Sequence, residues 1–514
     1  MMIRIEKWKT FLKELSSDHR VRLFFVSVFC FGILAHGMMM FNKYSFGDDS
    51  WLLFSIGSLI DVGRWMLGVI GKLYGLIFRN NYSLPLLHVF WTMVFTGLSG
   101  TVIIRALDLK NRWSIICLAA VMIAIPSVTG TFGYLFTSAY YALAAFLALL
   151  SSVMLFRAEN LRQMFAADVL LCCTIGIYQA EAGLAISFLL ILLLKHCLQD
   201  NLNSRAFWKK AGILLGNLLI SAILYAGITV LFLKAAHMTM SAHAGLDQLS
   251  GSVGFSLVLT RILQVYQEFI LPSAMASTNM YPGNIRILYE VLLILIVLML
   301  GRELRNTRNR SLYLEVFLFL LVFPPAVKLM FLLTDAAYVH SLMMYADIMV
   351  FVLAMTLMER VSGSLIRKAS AVLLALISFM YVRYDNVVYL KTEVQQSQAV
   401  SYYNSLITRI RSVQGYTDDT PVCWIGSLKE VSDGTISDYP EFREVITTPY
   451  DEVMIRDYAW NYMMKLWCGF DPETVPEEAF SDRKEVQTMP SYPDDGSIRM
   501  IDGTIVVKCS EEGD

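Results

Sequence analysis

The chain has 514 residues, of which 56% are hydrophobic and 17% charged, with a formal net charge of −1. So apolar a composition over this length excludes a soluble multidomain protein and points to a polytopic membrane protein. The net charge near zero says nothing about nucleic acid, and no basic run has the density of a nucleic-acid or polybasic lipid patch.

A membrane-spanning helix takes roughly 20 mostly apolar residues. The first apolar run, 22–41, is too long for a removable leader and lacks a small-residue cleavage site, so it reads as an anchor. Ten more runs follow, at 84–104, 113–129, 134–156, 164–179, 182–197, 211–234, 287–301, 311–332, 340–358 and 369–389, for about eleven spans in all. Lys and Arg are retained on the cytoplasmic side. Arg4, Lys7, Lys9, Lys13, Arg20 and Arg22 hold the N-terminus inside. Arg105, Lys110 and Arg112, then Arg157 and Arg162, then Lys195, Arg205, Lys209 and Lys210 fall on the same face with this count, as do Arg302, Arg305, Arg308, Arg310, Arg360, Arg367 and Lys368. The expectation is a multi-pass protein of the cytoplasmic membrane.

Residues 42–80 form the first outer loop, which opens on Gly47-Asp48-Asp49-Ser50-Trp51. The apolar stretch after it should not span, because Asp61, Arg64 and Lys72 interrupt it and each charge at a bilayer centre costs about 2.5–3.5 kcal/mol on insertion scales. Asp61, Arg64, Gly68, Lys72, Gly75 and Arg79 recur every three or four residues, with Ile56, Ile60, Leu67, Ile70, Tyr74 and Ile77 opposite. That spacing predicts an amphipathic helix lying in the outer surface.

A second large outer loop, 235–286, carries His237, His243, Asp247 and a second amphipathic segment around Arg261 to Phe269. From Lys391 the composition turns polar. Val394 to Val413 has helical periodicity, while Pro421 to Gly426 and Thr504 to Lys508 read as short strands. The predicted organisation is an all-α transmembrane domain, 1–390, followed by a small extracytoplasmic mixed α/β domain, 391–514. Cys423, Cys468 and Cys509 in that domain allow one disulfide and one free thiol, and no cysteine spacing suits a metal.

Three readings fit the Asp48–Asp49 pair: a helix cap near Ser50, a divalent-cation site, or a general base whose neighbour tunes it by like-charge repulsion. Arg64 and Lys72 on the next stripe stand at the depth where a lipid-linked sugar presents its phosphate, although Lys72 and Arg79 also suit snorkelling toward headgroups. Ionisable groups near the membrane are rare unless used. Tyr178, Gln179 and Glu181 occupy an outer turn, where Glu181 either binds a sugar hydroxyl or faces water. Lys328 lies within a span, about two turns before Asp335, with Pro324 and Pro325 perturbing the helix; it needs an anion or a cavity. His340 and Tyr345 begin the tenth span, and Tyr134, Tyr140 and Tyr141 suit an interfacial aromatic belt. No Walker loop, dinucleotide fingerprint, HExxH or nucleophile elbow occurs in a supporting context, which disfavours a nucleotide-driven pump or a soluble-type hydrolase.

Four short stretches, Asn42 to Trp51 (NKYSFGDDSW), Gly63-Arg64-Trp65-Met66, Gly176 to Glu181 (GIYQAE) and Met489 to Lys508 (MPSYPDDGSIRMIDGTIVVK), resemble bacterial membrane glucosyltransferases of the GtrII type, which modify O-antigen and related cell-surface polymers. The resemblance implies a GT-C-like fold, a catalytic aspartate in the first outer loop, and undecaprenyl-phosphate glucose or a similar polyprenyl-phosphate sugar as donor. The acceptor it implies is a surface glycan such as O-antigen, teichoic acid or another polysaccharide. Carried over to this chain, Asp48 or Asp49 is the base that deprotonates an acceptor hydroxyl, Arg64 sits near the donor phosphate, and the anomeric configuration inverts. Lys72 and Lys328 join Arg64 as phosphate-binding candidates, and Trp51, Tyr178, Glu181, Asp335 and His340 are the substrate-binding candidates. A monophosphate leaving group requires no metal, so no cofactor is expected, with a divalent cation at Asp48 and Asp49 left open. Two other functions fit the same charges. One is a transporter or flippase of lipid-linked sugars, which calls for ionisable groups near the bilayer midplane. The other is a polysaccharide polymerase, which needs a diphosphate-linked oligosaccharide.

Overall fold

The computed structural model describes residues 17–44, 47–57, 59–200, 204–241, 255–272, 280–307, 311–361, 365–426, 428, 442 and 459–510. The basic residues Arg4, Lys7, Lys9, Lys13, Arg308 and Arg310, and the loop residues His243 and Asp247, lie outside them. The chain divides into two compact units, one of Met1–Lys43 with Phe54–Val387 and one of Tyr44–Leu53 with Val388–Asp514.

Eight described helices are long and apolar enough to cross a membrane: His19–Phe41, Pro85–Leu107, Arg112–Phe132, Leu135–Arg157, Glu181–Gln199, Arg205–Ala235, Asn284–Asn306 and Leu365–Arg411. This is a multi-pass membrane protein. The other three expected spans coincide with helices Leu161–Ile177, Ser311–Val327 and Ile348–Arg360, of 17, 17 and 13 residues, each short of the roughly 20 that a straight crossing takes. Local chemistry sets many of the ends. Asp18, Asn111 and Asn160 cap the helices that follow them, each side chain accepting from backbone N–H groups of the first turn. Pro126 holds Ile125 extended, so the run 113–129 is broken into Arg112–Ala124 and Pro126–Phe132.

The helix Arg112–Phe132 is the most enclosed of the spans, 89% buried, with His19–Phe41 and Ile348–Arg360 packed against its first part. Helix Pro85–Leu107 packs on Leu135–Arg157, which in turn packs on Leu161–Ile177 and Glu181–Asp200. Glu181–Asp200 also packs on Ser311–Val327, and Gly183 permits it: a Cβ there would stand 2.8 Å from the Ala326 carbonyl oxygen and 3.5 Å from Ala346 Cβ. The expected tenth span differs most. Residues Ala336–Asp347 form three short 3-10 turns, so His340 and Tyr345 precede the helix at Ile348 and do not begin it. The amphipathic stretch also starts later than its periodicity suggests. Residues 60–63 turn, and the helix runs from Trp65 to Phe78 with Leu73, Leu76, Ile77 and Phe78 exposed.

In the second unit the last part of helix Leu365–Arg411, one continuous element of 47 residues, packs on a four-stranded sheet of order β2-β1-β4-β3. Strands β1 (Val422–Ile425) and β4 (Thr504–Lys508) lie where the pattern puts them, and they pair in parallel. β2 (Thr474–Val475) pairs in parallel with β1, while β3 (Ile498–Ile501) runs antiparallel to β4. Alternation along β4 sends Ile505 and Val507 toward Tyr403, Leu406 and Met463, and Val506 toward Phe480, Val486 and Met489. The sheet is therefore covered on both faces. Helix Trp460–Cys468 completes the first of these cores, and the short helix Gly47–Trp51 packs on it. All eight cysteines are free thiols, so the pairing that the composition allows in this unit is not formed.

Candidate functional site

Arg64 sits at the mouth of helix Trp65–Phe78, immediately after Gly63, whose φ of +78° is open to glycine and strained for other residues. A Cβ on Gly63 would stand 2.5 Å from Tyr225 Oη and 3.0 Å from Gln179 Nε2. Those two side chains hold the turn: Gln179 Nε2 donates to the Val62 carbonyl at 2.6 Å, and Tyr225 Oη donates to the Gly63 carbonyl at 3.2 Å. The guanidinium then donates from Nη1 to Tyr141 Oη at 2.8 Å and from Nε to Gln179 Oε1 at 3.4 Å. It also lies over the rings of Tyr178 and Tyr141, 5.1 and 5.7 Å from their centroids, and those rings stack on each other at 3.9 Å. Every one of these partners is neutral. Among the described residues no carboxylate pairs with Arg64.

Tyr141 and Tyr178 belong to the wall of a small, partly open cleft. Its wall is mostly apolar in surface but includes Thr92, Thr96 and Ser99 on one helix and Thr131 and Ser138 on others, with Tyr345 from the 3-10 turns. Glu181 completes it. Its carboxyl group is 3% exposed, at the first turn of a 20-residue helix whose dipole favours a negative charge there, and its Oε2 has no hydrogen-bond partner. Segments 63–66 and 176–181, more than a hundred positions apart in the chain, thus build one place. Gly176 seats the Trp65 indole, Gln179 ties the turn before Arg64, and Tyr178 lies under the guanidinium.

A second polar cluster lies in the same unit. Helix Ser311–Val327 stops at Lys328, after Pro324 and Pro325, and the Lys328 ammonium meets the Asp347 carboxylate at 2.8 Å with both side chains buried. Tyr281 donates to the same Oδ2 at 2.9 Å, and its ring centroid is 5.5 Å from the ammonium. Lys328 thus has its anion within the protein. Asp347 was not visible as its partner in the sequence, although a lone acid in the run 340–358 was the available signal. Asp335 is exposed on the connection between the two, and His340 is half-buried beside the cleft-lining Leu342.

The acidic pair stands in the second unit. Asp48 and Asp49 lie within the first turn of helix Gly47–Trp51, where the dipole also favours them. Asp49 is fully buried, Asp48 is half-buried, and Trp51 is 46% exposed. Lys72 is exposed on helix Trp65–Phe78 of the first unit. Among the described residues no three His, Cys, Asp or Glu side chains gather in a way that would hold a metal ion. Tyr141 had only an interfacial role in the sequence reading, and the Thr and Ser residues of the cleft carried no signal, since such residues are common in buried helices. Residues 37–351 of the chain match the family model described as Glucosyl transferase GtrII. No curated protein matches significantly.

Proposed function

The chain belongs to the GtrII glucosyl transferase family, and from that premise we propose that it moves glucose from a polyprenyl-phosphate donor to a cell-surface glycan at the outer face of a bacterial cytoplasmic membrane. As a glycosyltransferase it needs a place for an anionic leaving group. The observation that carries the donor assignment is Arg64. A guanidinium held only by neutral side chains, beside a cleft with hydroxyls in its wall, keeps its charge available for a phosphate, which it binds through paired N–H donors. In this reading eleven crossings leave the N-terminus inside and the C-terminal unit outside, with helix Trp65–Phe78 lying in the outer surface and Lys72 at the headgroups.

The chemistry is an inverting displacement. An acceptor hydroxyl oxygen attacks the anomeric carbon and gives up its proton to an aspartate, while the bond from that carbon to the phosphate oxygen breaks with its electron pair. Arg64 stabilises the charge that gathers on the departing phosphate. Asp48, half-buried, has the access that an acceptor requires, while the wholly buried Asp49 suits holding the helix in place. Exposed Trp51 offers an aromatic face to a sugar.

Single Asp48→Asn and Asp49→Asn variants test the base. The expected result is loss of transfer for Asp48→Asn in a protein that still inserts and folds. Full activity in both variants contradicts a catalytic role for the pair.

A further inference from the structure

Three of the cleft's polar atoms are buried and have no hydrogen-bond partner: Ser99 Oγ, Tyr178 Oη and Glu181 Oε2. Each such group costs about 1–3 kcal/mol when left unmade. Other hydroxyls on these helices avoid the cost by bonding back to a carbonyl one turn earlier, as Thr92 does to His88 and Thr101 to Gly97. Glu181 is the most costly of the three. It is a buried carboxyl group with no cation in ion-pair reach among the described residues, and it lines the cleft whose rim residues Tyr141 and Tyr178 touch Arg64. Three unmade bonds on residues that line one cleft suit a ligand with several hydroxyls.

We propose that this cleft seats the sugar ring being transferred and that Glu181 determines its specificity, by hydrogen bonding to adjacent ring hydroxyls. The proposal rests on the reading of Arg64 as the donor phosphate's partner. Ser99 and Tyr178 each add one hydrogen bond to the same ring. The selected class is a fully hydroxylated hexose. A site built to bond a hydroxyl rejects the analogue that lacks it strongly, because its own buried groups are then left unpaired.

The test measures kcat/KM with polyprenyl-phosphate glucose and its four singly deoxygenated forms (2-, 3-, 4- and 6-deoxy), in the full-length protein and in Glu181→Gln, Ser99→Ala and Tyr178→Phe. For the wild type the expected result is a loss of about 100-fold or more on at least one deoxy donor. In Glu181→Gln, glucosyl transfer falls while that deoxy penalty shrinks to about threefold, because one carboxyl oxygen is replaced by an amide group that only donates. Ser99→Ala and Tyr178→Phe each lower glucosyl transfer by about 5- to 30-fold, and they read the same cleft if Glu181→Gln fails to accumulate. Variants that all fold, transfer glucose normally and keep the wild-type discrimination overturn the cleft assignment while leaving the donor reading intact. A wild type that uses no polyprenyl-phosphate sugar overturns the donor reading and the cleft assignment with it.

Discussion

Replacing Asp347 by Ala leaves the Lys328 ammonium charged and unpartnered inside the helix bundle. The pair closes at 2.8 Å with side-chain exposures of 2% and 0%, and the Tyr281 hydroxyl loses its acceptor in the same change. Removing one member of a buried pair costs about 3–5 kcal/mol, and the orphaned Tyr281 bond puts this change toward the upper end. Replacing both members with apolar residues of similar size is often neutral, so Lys328→Met with Asp347→Leu should recover most of the loss. Equilibrium unfolding in mixed micelles reads the three variants, and a glucosyl-transfer assay on the same preparations separates stability from use. If the charge of Lys328 serves only Asp347, the double variant transfers glucose nearly as well as wild type. A stable double variant with no transfer shows that the pair serves the reaction as well as the fold. A double variant as unstable as Asp347→Ala refutes the pairing as the source of the cost.

Gly63→Ala forces a Cβ into the Tyr225 hydroxyl and a left-handed backbone on a residue with a side chain, a change of about 1–2 kcal/mol from the backbone alone. It displaces the turn that aims Arg64, so KM for the donor should rise, and an unchanged KM with normal folding counts against that role for the turn. Burial pushes the Cys423 thiol up to about 11 and the Cys509 thiol up to about 12. Alkylation of the native protein near neutral pH, followed by peptide mass analysis, should therefore leave both unmodified but free, and a disulfide-linked peptide would contradict this. Burial also pushes the Lys43 ammonium down from 10.5 to about 7. Between those values the unfolded chain binds one proton more than the folded one, so stability from this group rises with pH across that window. The thermal midpoint of the wild type should climb from pH 7 to 9 relative to Lys43→Met, and parallel curves for the two proteins would exclude the shift.

Long apolar runs identified the eight described helices that are long enough to cross, because a bilayer imposes a minimum length and one polarity on each. Periodicity located β1 and β4 as well, where alternation and turn residues agree. What it left out are contacts between segments distant in sequence. Periodicity says which face of a helix is apolar and nothing about which neighbour it meets, so the Asp347 partner of Lys328 and the Tyr141 partner of Arg64 stayed hidden. The 3-10 turns at 336–347 misplaced the start of the tenth expected span for a related reason: their apolar residues read as part of it. Arg64, Tyr178 and Glu181 were each legible singly as polar residues in apolar surroundings. Their meeting at one cleft needed the fold. The burial of Asp49 in the C-terminal unit with Tyr44–Leu53 was equally beyond reach, since nothing in a ten-residue segment says which distant core it joins.

The most direct test of the donor assignment supplies the purified protein, reconstituted in liposomes with an acceptor glycan, with either polyprenyl-phosphate glucose or a nucleotide-diphosphate glucose, and follows labelled glucose into the glycan. Transfer from the lipid donor alone, falling by about 100-fold or more in Arg64→Met as a lost transition-state phosphate contact does, is the predicted result. Transfer from the nucleotide sugar, or movement of the lipid donor across the bilayer with no glucose reaching the acceptor, contradicts it.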